Sequence, residues 1–161
     1  MKYFTLKECI HSDMAQEKSI DNTPIDEHKE HIIESIETLL NPLRKAWGEY
    51  CRNRGLGLQG IRVTSGYRTP ELNKAVHGSE SSEHCYGYAF DLVPSNLKIG
   101  EFKHFCRDFL SQHPFDQLIS EKENKDGVPR WMHVGYKQHS TEAQRHQFLS
   151  MIDGKYFPMT D

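Results

Sequence analysis

The sequence predicts an α+β domain, a small antiparallel sheet with flanking helices, and three observations carry that prediction. An apolar stripe at helical spacing runs through Ile33, Ile36, Leu40, Leu43 and Trp47. Two segments, Leu58–Thr64 and Tyr88–Val93, have the β-branched or alternating character of strands. Two more, Phe115–Ser120 and Trp131–Tyr136, flank a polar loop whose Asp126-Gly127 pair is a turn signal. The resulting order is helix, strand, loop, strand, helix, hairpin. With 161 residues and no repeat, low-complexity tract or linker, the chain is read as one domain, residues 1–161.

Taken in order, Tyr3–Pro24 reads as irregular, with one short helix near Leu6–Ser12. Thr23 is placed to cap the long helix, Pro24 suits its first turn, and Asp26 and Glu27 complement its dipole. Pro42 falls inside the stripe and predicts a kink or break there. Gly55, Gly57 and Gly60 mark the turn into the first strand, and Ser65–Pro70 leads out of it. A short helix is expected over Pro70–Val76, then a loop of small polar residues, His77–His84. Ile99, Phe102, Phe105, Cys106, Phe109 and Leu110 predict a second amphipathic helix that stops before Pro114. The tail reads as a further helix near Thr141–Met151 and an irregular end.

Composition excludes several classes of function. Hydrophobic residues are 36% and charged residues 27%, a globular balance. A net charge of -3 argues against a broad nucleic-acid surface, which needs concentrated Lys and Arg. No apolar run is long enough for a membrane span. The start, MKYFTLKECIHSDM, lacks the apolar core and cleavage site of a secretory signal, so a cytoplasmic chain is expected until some other route releases it. Cys9, Cys51, Cys85 and Cys106 form no C-x-x-C pair and are read as reduced, mostly buried thiols.

The chemistry concentrates in Ser82–Asp91. His84 and Asp91 lie on either side of Gly87, whose backbone freedom lets the chain turn sharply so that the two side chains converge. Imidazole nitrogen and carboxylate oxygen are both competent zinc ligands. His133, on a predicted strand, is the natural third. Two histidines and one carboxylate leave a fourth position open, the catalytic rather than the structural arrangement. Of the other histidines, His11, His28, His31, His104, His113, His139 and His146 sit in charged or helical surroundings and are read as ordinary surface or core residues. His77 is read as a solvated loop residue, with a rim position as the alternative.

Three separated motifs then become recognisable in order: Ser65-Gly66-Tyr67-Arg68, the Ser-x-His-x-x-Gly-x-Ala-x-Asp pattern at Ser82–Asp91, and Trp131-Met132-His133-Val134. Together they resemble the M15 family of zinc D-Ala-D-Ala peptidases, in particular its small phage- and prophage-associated M15A-type branch. Ile20–Pro24 is a looser likeness, and the resemblance spans roughly Tyr3 to Tyr136. It implies the compact α+β fold that this family shares with the hedgehog signalling domain. It implies Zn2+ held by His84, Asp91 and His133, and Arg68 on the substrate's terminal carboxylate or scissile carbonyl. For Arg68 the competing reading is a structural ion pair. Ser82 either contacts substrate or orients a ligand, or it is a loop cap.

The general base is where the sequence departs from many family members. The position three before the last histidine holds Arg130 rather than an acid. The branch resembled carries a Glu at the end of the preceding strand, which here is Glu121, with Glu123 as the next candidate. If the hairpin pairs Glu121 with Trp131, Glu121 and His133 share a sheet face, and a one-residue slip would separate them. Ser120 stands where the branch often has an aromatic residue and His77 where it often has Gly. The implied activity is hydrolysis by metal-activated water of amide bonds in peptidoglycan stem peptides, as a DD-carboxypeptidase or endopeptidase acting on the bacterial cell wall. The alternative is a zinc-stabilised module that binds cell-wall peptides without cutting them.

Overall fold

The computed structural model describes residues 3–161. Two short helices open the chain, α1 (Leu6–Ile10) and α2 (Asp13–Glu17). A long helical rod follows, made of α3 (Asp26–Ser35), a π-helical turn (Ile36–Leu40) and α4 (Asn41–Arg54). Then come β1 (Ile61–Ser65), α5 (Pro70–Ala75), a 3₁₀ turn (Glu83–Tyr86), β2 (Ala89–Pro94), α6 (Ile99–Leu110), β3 (Gln117–Glu121), β4 (Trp131–Gly135), β5 (Gln147–Ile152) and β6 (Lys155–Pro158). No helix among the described residues is long and apolar enough to cross a membrane.

The strands form one six-stranded sheet in the order β1-β2-β4-β3-β5-β6. All pairs are antiparallel except β3 with β5, which is parallel. The sheet is therefore mixed, and larger than the antiparallel one expected from the sequence. Because side chains alternate across a strand, each strand gives one set to each face. Phe90, Leu92, Leu118, Met132 and Val134 are buried on the face that packs against the helices. There Trp47 of α4 meets the ring of Phe102 of α6 edge-on at 5.0 Å. Each such buried side chain contributes roughly 1.5–3 kcal/mol. The opposite face carries Asp91, His133, Ile119 and Glu121.

Pro42 neither breaks nor sharply ends the rod. The π turn just before it, in which Asn41 N–H donates to Ile36 O, absorbs one extra residue and shifts the hydrogen-bond register where the proline offers no donor. The buried stripe runs through Ile32, Ile36, Leu39, Leu40, Leu43 and Trp47, whereas Ile33 is 40% exposed. Ile32 lies four residues before Ile36 and so takes the core-facing position expected of Ile33.

The start of the long helix also differs from expectation: α3 begins at Asp26, so Pro24 lies ahead of its first turn. Thr23 does not cap α3, whose N-cap is Ile25 without a side-chain bond; Thr23 instead donates its backbone N–H and hydroxyl to Asp21 Oδ1. Asp26 and Glu27 do occupy the first turn. Ser12 caps α2 rather than ending α1.

The expected helix over Thr141–Met151 is overturned. Residues 147–152 are strand β5, which lies against β3 with Leu149 beside Ile119. Glu142 and His146 have φ of +57° and +55°, which a helix does not accept. Arg145 is also held away from a helical path, its backbone N–H and guanidinium both bound to the Asp116 carboxylate. β5 then turns through Asp153-Gly154, φ +50° and +77°, into β6. An Asp-Gly pair with both residues at positive φ is a hairpin turn.

Candidate metal centre

Strand register does most of the positioning. β2 and β4 place Asp91 directly opposite His133, so both side chains leave the same face as close neighbours. His84 arrives from the 3₁₀ turn. Gly87, at φ +84°, reverses the chain after that turn and sends it into β2. A side chain at Gly87 would also bring its Cβ within 2.7 Å of His28 O. His31 fixes the turn from the other side, donating Nδ1–H to Tyr86 O at 2.6 Å.

The result is a tight donor set. His84, Asp91 and His133 each offer one ligand atom, all within 4.8 Å of one another. His84 Nε2 lies 3.3 Å and His133 Nδ1 3.1 Å from the same oxygen, Asp91 Oδ1. His84 Nδ1 lies 2.8 Å from Gly66 O. A carbonyl only accepts, so Nδ1 carries the proton and the neutral ring turns a lone pair at Nε2 toward Asp91. Two acceptors facing each other at that distance repel, and a cation between them removes the conflict. This is the arrangement in which a ligating histidine is oriented by a backbone carbonyl.

Protonation favours the same state. Burial lowers the His84 imidazole, so it stays neutral, with Asp91 pulling the other way. Burial alone would raise the Asp91 carboxyl, but the net shift is downward, with the hydrogen bond from His133 favouring the ionised form. Neutral imidazole and ionised carboxylate are the forms that bind metal. The nitrogen and oxygen donors suit zinc, and three protein ligands leave one position for water or substrate.

Around this set, Arg68 donates to Asp91 Oδ2 at 3.3 Å, to Ser65 Oγ at 3.0 Å and to Asn73 Oδ1 at 3.1 Å. The structural and functional readings of Arg68 are thus compatible. Its guanidinium fixes Asp91, and with five N–H donors in all it keeps two for a ligand. Ser82 Oγ accepts from His84 N–H at 3.2 Å, which makes it the cap of the 3₁₀ turn that carries His84. Both residues also line the cleft over the sheet.

The two candidate bases separate cleanly. β3 pairs Glu121 with Trp131 and Ile119 with His133, so Glu121 shares the face of His133 and lines the same cleft. Burial raises its carboxyl, with His133 lowering it and Asp91 raising it. Glu123 is elsewhere, with its side chain fully buried. It accepts from Lys103 Nζ at 2.9 Å, from Thr160 Oγ1 at 2.8 Å and from Ser150 Oγ. Burial pushes its carboxyl up, and these donors more than offset it, leaving it lowered. Arg130 is exposed, and its backbone N–H donates to Glu121 O at 2.9 Å.

The cleft has a volume of about 770 Å³. The sheet face, the His77–His84 loop and Gln138, His139 and Ser140 all line it, with His139 joined to the loop through Glu83. His77 therefore takes the rim position. His139, read from the sequence as ordinary, is a wall residue: its Nδ1 is 3.0 Å from Glu83 Oε1, and its ring stacks on Tyr86 at 3.5 Å. Leu149 and Tyr156 extend the cleft toward the sheet edge. Nothing local in the sequence marks His139, whereas Asp153-Gly154 is a signal for the hairpin that carries Tyr156. All four cysteines are free and buried, as expected.

No curated protein matches the chain. A family model described as Peptidase M15 matches residues 2–125, a span that includes Arg68, Ser82, His84, Asp91 and Glu121 and ends before His133. With most of its length matched, the chain belongs to the Peptidase M15 family.

Proposed function

We propose that the chain is a zinc-dependent peptidase that hydrolyses amide bonds in the stem peptides of bacterial peptidoglycan, as a DD-carboxypeptidase or endopeptidase. The observation that carries this reading is the convergence of His84, Asp91 and His133 with Glu121 and Arg68 in one cleft, in a chain of a peptidase family. A zinc ion held by the three ligands would supply the Lewis acidity that acidifies water and polarises a carbonyl.

The rest falls to the protein. Glu121, whose proton affinity is raised by burial, takes the proton from the attacking water and returns it to the departing amine. Arg68 keeps Asp91 oriented through one edge and directs its remaining donors at the acyl oxygen, where negative charge develops. Ser82 holds the turn that presents His84. No nucleophilic Ser or Cys is needed, in keeping with four buried thiols. The chain would be made in the cytoplasm and reach the wall on release.

The test combines metal analysis with digestion of purified peptidoglycan and mass spectrometry of the products. One zinc per chain with new amine and carboxyl ends in the stem peptide is expected. Full zinc occupancy without any cleavage would leave a binding module instead. Digestion of unrelated peptides at the same rate would remove the wall from the proposal.

A further inference from the structure

Outside the family-matched span, the hairpin β5–β6 enters the active face. Leu149 pairs with Ile119, itself opposite His133, so Leu149 points into the cleft. Two residues on, Met151 shares that face and pairs with Tyr156 of β6. Tyr156 is thus brought to the floor of the cleft from the far edge of the sheet, and its side chain lines the cleft with Leu149, Trp131 and Glu121. It is 60% exposed, a large aromatic surface left uncovered beside reacting groups.

We propose that Tyr156 is a substrate-contacting residue, and that the β5–β6 hairpin forms a subsite for the part of an extended peptide that crosses β3 and β5 beyond the scissile bond. The ring offers a face to an aliphatic side chain, and the hydroxyl donates to a peptide carbonyl or carboxylate. The occupant is the peptide substrate itself, because the surface is continuous with the cleft that holds His133 and Glu121. A rigid aromatic loses little conformational freedom on contact, which suits it to this task. The inference rests on the peptidase reading and deepens it: such a subsite favours substrates longer than the two residues that flank the bond.

The experiment uses zinc-loaded full chain with a length series of wall stem peptides, comparing wild type, Tyr156→Phe and Tyr156→Ala. For the longest peptides Tyr156→Ala should raise KM by roughly tenfold or more, the scale set by covering an aromatic ring, with kcat changed little. The shortest peptide should show no change. Tyr156→Phe should recover most of the loss if the ring dominates and little of it if the hydroxyl does; either supports the contact. Equal KM for wild type and Tyr156→Ala across the series would overturn the subsite. So would a Tyr156→Ala change confined to sedimentation, from dimer to monomer, since the hairpin would then be a contact between copies. A wild type that cleaves no wall peptide overturns the peptidase reading itself, and the subsite with it.

Discussion

Exchanging Glu121 and Glu123 for glutamine, one at a time, should separate catalysis from stability. The two carboxylates are two residues apart and both are buried, yet their surroundings differ. Lys103 and Glu123 have side chains 2% and 0% exposed, and Lys103 Nζ also donates to Gly127 O and Thr160 Oγ1, both at 2.8 Å. Removing one partner of a buried pair costs about 3–5 kcal/mol, because the other charge is left without compensation. Glutamine preserves volume and offers Lys103 an oxygen, so Glu123→Gln should fall near the lower end, about 3 kcal/mol. For a chain of this size that is a loss of roughly 6–12 °C in melting temperature. Zinc content and kcat per folded molecule should be unaffected.

Glu121→Gln should do the reverse. It removes a charge that burial disfavours, so stability should hold or rise slightly, while kcat falls by about 10²- to 10⁴-fold. The assay pairs chemical denaturation with single-substrate kinetics at equal zinc occupancy. A Glu121→Gln variant with full activity, or a folded Glu123→Gln variant without it, would refute the assignment. The pH dependence adds a sign. The folded-state pKa of Glu123 is lowered, so its contribution is complete above the unfolded carboxylate value of about 4.3 and is lost as pH falls from there through the folded pKa. Wild type should therefore lose part of its advantage over Glu123→Gln in acid.

Three further perturbations probe the scaffold. His84→Ala or Asp91→Ala should abolish zinc retention on dialysis and with it all turnover, and chelation of the wild type should be reversed by zinc; retained zinc in either variant would exclude that residue as a ligand. Arg68→Lys cannot reproduce the three contacts to Asp91, Ser65 and Asn73, and should lower metal affinity by about 10- to 100-fold, read by competition with a chelating dye. Gly87→Ala combines a left-handed backbone with a Cβ 2.7 Å from His28 O, and should cost at least about 1–3 kcal/mol in denaturation while weakening zinc binding.

The His84, Asp91 and His133 cluster was legible in the sequence because its motifs are local and their order resembles a known family. His84 and Asp91 straddle a single glycine, and the polar loop with Asp126-Gly127 sets the register that aligns Glu121 with Trp131. The tail was not legible. β5 owes its conformation to a parallel partner, β3, that is remote in the chain, and a six-residue mixed run without that partner carries no decisive periodicity. The same holds for Ile33 and Ile32, adjacent apolar residues that only the packing of the rod tells apart. His139 belongs to a loop whose path depends on Arg145 reaching Asp116, a long-range ion pair that the residues beside it do not announce.

The strand order gives the His84, Asp91 and His133 cluster a bearing on how the molecule assembles. β2 and β4 are neighbours in the sheet, but α6 and β3 lie between them in the chain, so Asp91 and His133 are 42 positions apart. The three donor atoms do not come together in any contiguous fragment short of that span. They converge only once β4 has threaded between β2 and β3, a pairing of high contact order that is slow to form. An ion captured there would close a long loop in the manner of a cross-link, favouring the finished sheet over every partly formed one. Metal capture would then mark the completion of folding as much as the onset of chemistry.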